Sequence, residues 1–192
     1  MNRFERRLAF TGALLSLAGL CACGGGGGSG PQAPALGLVY VDPPAGGYRF
    51  VRDAQGSTAT HLVLDLVGPA GDRGRGVAFA LDLAPGPVAW ALVAPGDPQY
   101  ARNLLFDLGP GLPLVKTAVQ ETMLLADLFQ KGPGNDKALG APICQIALDG
   151  AAPLAPAAQV PITVVQFRVL PPAGAALTEA TSRCAVGTLS VQ

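Results

Sequence analysis

With one histidine and four cysteines among 192 residues, the chain is short of the side chains from which zinc sites and nucleophile–base pairs are built. Past residue 23 only His61, Cys144 and Cys184 remain, too few for a zinc centre. Charged residues make up 14% of the chain, 13 basic balanced by 13 acidic, which excludes the basic footprint of a nucleic-acid binder. No apolar run reaches the ~20 residues that a membrane-spanning helix needs. What the chain has in quantity is glycine and proline, 26 and 18 residues. Helical bundles tolerate little proline, whereas many short strands joined by tight turns suit this composition.

The first thirty residues, MNRFERRLAFTGALLSLAGLCACGGGGGSG, read as an export signal. Arg3, Arg6 and Arg7 supply a basic start, residues 8–20 a mostly apolar run of secretory length, and small residues follow. Leu20, Ala22 and Cys23 resemble the lipobox of bacterial lipoprotein signal peptides, with a leucine three residues before the modified cysteine and a small residue just before it. The resemblance makes residues 1–22 the signal peptide and Cys23 the lipidated residue. Cys21 fits less well, because Leu20 would have to enter the subsite that takes Gly, Ala or Ser. The competing reading is an ordinary secretory signal cut after Ala22. Arg6-Arg7 is an incomplete twin-arginine pattern, since Glu5 precedes it.

Lipoproteins of this type carry three acyl chains, and the resemblance implies the same bilayer anchor here. Each buried methylene contributes ~0.8 kcal/mol, so one chain holds a protein only marginally and several hold it stably. Residue 24 is Gly rather than the Asp that retains such proteins in the inner membrane, which points to the outer membrane. Residues 23–35 then form a Gly- and Pro-rich tether that cannot bury enough surface to fold. Gly25, Gly27 and Gly30 satisfy G-x-G-x-x-G, but that pattern cradles a pyrophosphate only between a strand and a helix. Here a signal precedes it and prolines follow.

Cleavage before Cys23 leaves about 170 residues, enough for one domain with a hydrophobic core, placed at residues 36–192. Loss of Arg3, Glu5, Arg6 and Arg7 brings the net charge to about −2. Cys144 and Cys184 are an even remainder in an exported chain, and so predict a disulfide. It would close a loop of about 40 residues and contribute roughly 4 kcal/mol. Two separate buried thiols are the alternative.

Strand signals recur along the domain. Residues 36–41 and 48–52 each read as a short strand, and the nearly all-apolar HLVLDLV of residues 61–67 suits a central strand covered on both faces. In residues 76–83, Val77, Phe79, Leu81 and Leu83 alternate with Ala78, Ala80 and Asp82, the first set belonging to the core. Val88, Trp90 and Leu92 repeat the alternation. Residues 100–108 fit a helix or a strand. Residues 114–131 lack Gly and Pro and also fit a helix, but the surrounding pattern favours a hairpin turning at Gln120-Glu121-Thr122. Cys144, Ile146 and Leu148 share one face of residues 142–148, and Val165, Phe167 and Val169 one face of residues 162–170. Residues 183–191 close the chain as one strand or as a strand broken at Gly187. These make an all-β domain, a single antiparallel β-sandwich of about nine strands.

The order of features, with Gly76-Val77, Phe79, Leu81 and Leu83 early and Val165, Phe167 and Val169 late, resembles a cohesin-like or carbohydrate-binding-module-like sandwich of the jelly-roll type. The whole chain also resembles small bacterial lipoproteins with a poly-glycine tether. The first resemblance implies binding rather than catalysis. Cohesins dock a dockerin on a sheet face, but no dockerin-like repeat occurs here.

Candidate chemistry is sparse. Ser57, Ser182 and Ser190 lie outside any G-x-S-x-G elbow, and His61 opens a strand after a turn. Asp65, Asp82 and Asp127 are conceivable carboxylate pairs, and Asn135 with Asp136 a conceivable calcium loop without EF-hand spacing. Trp90 fits the core. Tyr48 and Tyr100 are the candidate ligand-binding aromatics, with Phe50 nearby in sequence to Tyr48. No enzyme, metal or cofactor is expected. The expected partners are the lipid bilayer through Cys23 and either an envelope protein, bound on a sheet face or edge, or an envelope polysaccharide. A flat apolar patch or open edge would favour the protein, and an exposed cluster with Tyr48 and Tyr100 the glycan.

Overall fold

The structure, a computed structural model, describes residues 36–107, 115–130, 136–151, 154, 156–173, 175–176 and 178–192. A compact unit runs from Ala35 to Gln192. The residues expected to form the signal peptide and the tether, Cys23 among them, and Asn135 lie outside the described residues. Among the described residues no helix is long and apolar enough to cross a membrane.

The unit is all-β. Its strands are β1 (Leu38–Val41), β2 (Tyr48–Arg52), β3 (His61–Val67), β4 (Arg73–Gly74), β5 (Gly76–Leu83), β6 (Val88–Ala91), β7 (Ala101–Asn103) and β8 (Val115–Gln120). They continue with β9 (Met123–Phe129), β10 (Lys137–Ala138), β11 (Pro142–Gly150), β12 (Ala157–Val160), β13 (Ile162–Leu170), β14 (Thr178–Glu179), β15 (Cys184–Ala185) and β16 (Thr188–Val191). One 3-10 turn, Thr181–Arg183, precedes β15.

Two large sheets carry the architecture. In one the order is β15-β2-β3-β11-β6, with β7 also on β11, and in the other β14-β13-β5-β9-β8. Their alternating apolar positions meet in one core. Phe50 of β2 meets Phe79 of β5 edge-on at 5.4 Å between ring centres, and Tyr48 meets Phe167 of β13 at 4.9 Å. Leu62, Leu64 and Leu66 of β3 lie opposite Leu148, Ile146 and Cys144 of β11, and all six are buried. Three-dimensional pairing explains why HLVLDLV is apolar on both faces. Its odd side is also covered, since Val63 packs with Val93 and Ala147 in a small second cluster.

A third sheet, β1-β16-β12, joins the two ends of the unit. Gly37 N–H donates to the Gln192 carbonyl at 2.7 Å, and Gln192 N–H returns the bond at 3.0 Å. The Tyr40 hydroxyl ties this sheet to β2, donating to the Phe50 carbonyl at 2.9 Å while accepting from Gly187 N–H at 2.6 Å. A Cβ on Gly187 would collide with the Val41 carbonyl and the Tyr40 ring, so the chain needs glycine there.

The structure differs from the expected pattern in four places. Sixteen strands among the described residues replace about nine, because residue pairs such as β4 and β10 join in a ladder too short to leave a sequence period. One ladder is parallel, Cys184 and Ala185 beside Tyr48 and Arg49. Val165 is 50% exposed instead of inward, because a bulge between Val164 and Gln166 turns it out and hands the core side to Ile162 and Val164. Cys144 and Cys184 are free thiols rather than a disulfide. β2 and β3 lie between β15 and β11, and three strand spacings make about 14 Å, twice the Cα separation that a disulfide spans.

Residues 115–129 form the hairpin. β8 and β9 pair from Val115 opposite Leu128 to Gln120 opposite Met123, and β9 pairs onward to β5. Glu121 at the turn has φ 54°.

Candidate functional site

The outward face of the β14-β13-β5-β9-β8 sheet is built from the residues that alternate with the core. Ala118 of β8 stands opposite Leu125 of β9, which stands opposite Ala80 of β5, which stands opposite Gln166 of β13. Ala78 flanks Ala80 in the same strand, and Met123 and Asp127 flank Leu125. This one row is therefore small-residue and apolar, and Ala80 within it is 6% exposed. Charge borders the row on both sides, where Lys116, Asp127, Ala78 and Arg168 stand in line across the sheet and where Asp82 accepts a hydrogen bond from the Thr122 hydroxyl at 2.7 Å. A shallow depression of about 380 Å³ lies at Ala118, Leu125, Lys116 and Asp127.

The carboxylates do not converge. Asp82 lies opposite Met123, four residues from Asp127 along β9, so the two are on the order of 14 Å apart on that face. Asp65 belongs to the other large sheet. There the register brings Val51, Asp65, Gln145 and Arg102 into one row. Gln145 also donates to Asp53 at 3.1 Å, and one Asp65 oxygen is buried with no hydrogen-bond partner among the described residues. Burial raises the Asp65 carboxyl above its ordinary value, the Gln145 hydrogen bond opposes this, and the Asp53 charge adds to it.

His61 meets Asp149 across β3 and β11, with Nδ1 2.6 Å from the carboxylate, and its Nε2 lies 3.2 Å from the Val93 carbonyl. Both ring nitrogens are engaged, and no serine faces them among the described hydrogen bonds. The pocket around His61 holds one carboxylate, Asp149. Asp136 is ion-paired with Arg73, and that hydrogen bond lowers its carboxyl below the ordinary value, with burial opposing it. No group of three His, Cys, Asp or Glu among the described residues is placed to hold a metal.

The two candidate tyrosines are not one platform. Tyr48 is 1% exposed, its hydroxyl donating to Asp72 at 3.0 Å and its ring under the Arg183 guanidinium. Burial and the Asp72 hydrogen bond push its phenol well above the ordinary range. Tyr100, half-buried beside the core, is held by its backbone N–H on the Thr117 hydroxyl at 2.9 Å. Trp90 is buried, its indole N–H donating to the Thr122 carbonyl at 2.6 Å. Phe50 is fully buried.

What sequence reasoning missed is that the outward residues of β5, β8 and β9 form one patch. The alternation marks each residue as outward, but only strand pairing places Ala118, Leu125 and Ala80 in a row. No family model, no curated protein and no solved structure matches the chain.

Proposed function

We propose that this chain is a lipid-anchored, non-enzymatic binding module of the cell envelope, held in the outer membrane by acylated Cys23, whose cohesin-like β-sandwich docks a protein partner on a sheet face. The observation that carries the reading is the outward apolar row Ala118, Leu125 and Ala80, in which Ala80 is 6% exposed, with Lys116, Asp127 and Arg168 in the row beside it. Small side chains let a partner backbone or aromatic approach closely, and marginal charges such as Lys116 and Asp127 set orientation more than affinity. The partner fitting this face is a folded protein whose own patch is apolar with a charged rim. A sugar platform is the weaker reading, because stacking needs an exposed ring and Tyr48 is buried.

The test is in-cell cross-linking of the tagged, full-length chain, followed by identification of what co-purifies from the membrane. A stoichiometric protein that disappears in Ala118→Arg, while the variant melts as the parent does, supports the reading. Retention of that protein by Ala118→Arg, or recovery of glycan fragments alone, overturns docking on this face. Cys23→Ala is expected to move the chain out of the membrane fraction, and its staying there would end the anchor proposal.

A further inference from the structure

We propose that the free edge of β6 is a second docking site, which takes an extended peptide segment bearing a lysine or arginine by adding it to the sheet as a strand. The register of β6 on β11 fixes which backbone groups face where. Val88 lies opposite Gly150, Ala89 opposite Asp149, Trp90 opposite Leu148 and Ala91 opposite Ala147. Ala151 N–H donates to the Pro87 carbonyl at 2.7 Å, which makes Pro87 and Ala151 a hydrogen-bonded pair. Bonded and non-bonded pairs alternate in an antiparallel ladder, so Ala89 and Ala91 direct their backbone groups to β11. The N–H and C=O of Val88 and Trp90 therefore point away from the sheet, and none of the described residues hydrogen-bonds to them, so the edge is unpaired although the two residues as wholes are only 5% and 8% exposed. Two outward amide and carbonyl pairs about 6.8 Å apart are matched by an extended chain, not by a helix.

The same register selects a side chain. Toward an added strand Ala89 is a non-bonded position, where facing Cα atoms come to about 4.5 Å; a further ~5.5 Å separates Ala89 from Asp149. The added residue opposite Ala89 thus lies about 10 Å from Asp149, on the same outward face, with only a methyl group between them. A lysine or arginine spans that gap. The Asp149 side chain is 57% exposed, and His61 Nδ1 holds only one of its oxygens. The space is an open groove of about 760 Å³ lined by Thr58, His61, Ala89, Val93, Tyr100 and Asp149. Asp149 is its one carboxylate, and its ionisable neighbour in the groove is His61.

The site is tested by amide NMR of the full-length chain in detergent micelles, titrated with the acetylated, amidated peptide TVTKTVT. The expected result is saturable shifts of the Val88 and Trp90 amides with slowed hydrogen exchange there. Replacing the peptide lysine by glutamate is expected to weaken binding about fivefold, as is Asp149→Asn, the scale of an exposed ion pair. Ala89→Lys puts a cation of the chain's own beside Asp149 and leaves the β11 bonds intact, so it should weaken binding at least as much while melting normally. Peptide N-methylated at alternate residues should not bind. No shift at Val88 and Trp90 at millimolar peptide, equal binding of the glutamate peptide, or binding that survives N-methylation would overturn the proposal. Ala118→Arg should leave the peptide titration unchanged, so loss of the folded partner and loss of peptide binding are separate results.

Discussion

Asp65 is held at a cost. One of its oxygens is buried without a partner, Asp53 stands near, and burial has raised its carboxyl above the ordinary value. A carboxyl raised in the fold disfavours the ionised form there, so stability is fullest below the unfolded-state value and falls as pH rises through the folded one. Asp65→Asn is therefore expected to stabilise the chain at pH 7 by roughly 0.5 kcal/mol, the carboxylate being partly solvated and its charge screened. The gain should vanish as pH falls below the carboxylate range. Paired thermal melts at pH 7 and pH 3 check this, and equal gains at both would show that charge is not the cause.

Among elements, the β8–β9 hairpin carries the clearest strain. Its turn lacks glycine, so Glu121 adopts the left-handed conformation, which costs an L-residue about 1–2 kcal/mol. Glycine forfeits about 0.5–1 kcal/mol of that through unfolded-state entropy. Glu121→Gly should accordingly stabilise by about 0.5 kcal/mol, and a β-branched Glu121→Val should destabilise; urea midpoints at unchanged slope would report both. The same absence of glycine is why residues 114–131 fit a helix on periodicity alone, and β5 resolves the ambiguity by pairing with β9 through seven consecutive positions from Gly76 to Asp82. Strands with a sustained period of two were legible, and β2, β3, β5 and β13 begin and end where alternation and turn residues set them. The bulge at Val165, the parallel β15 and the two-residue ladders were not, because each depends on a partner distant in the chain. The row proposed for docking falls in the same class, since each of its residues reads singly as an ordinary outward alanine or leucine.

For the whole molecule, stability rests on the shared core without a covalent staple. Cys144 is buried, which raises its thiol far above the ordinary value, and burial pushes Cys184 up to about 12. Both are protonated at neutral pH, so neither is a ready nucleophile. Melting temperatures with and without reductant should coincide, and iodoacetamide should add nothing to Cys144 until the fold opens, which intact-mass measurement follows. A reductant-dependent drop would restore the disulfide.

The pairing of Gly37 with Gln192 has a mechanical consequence. Both ends of the domain leave from one corner, on adjacent antiparallel strands. Pulled apart through residues 37 and 192, β1 and β16 open like a zip, each pair loaded in turn from Gly37–Gln192 toward Val41–Thr188. The Tyr40 hydroxyl, bridging Phe50 and Gly187, is the rivet that such a tear meets on its way into the large sheet.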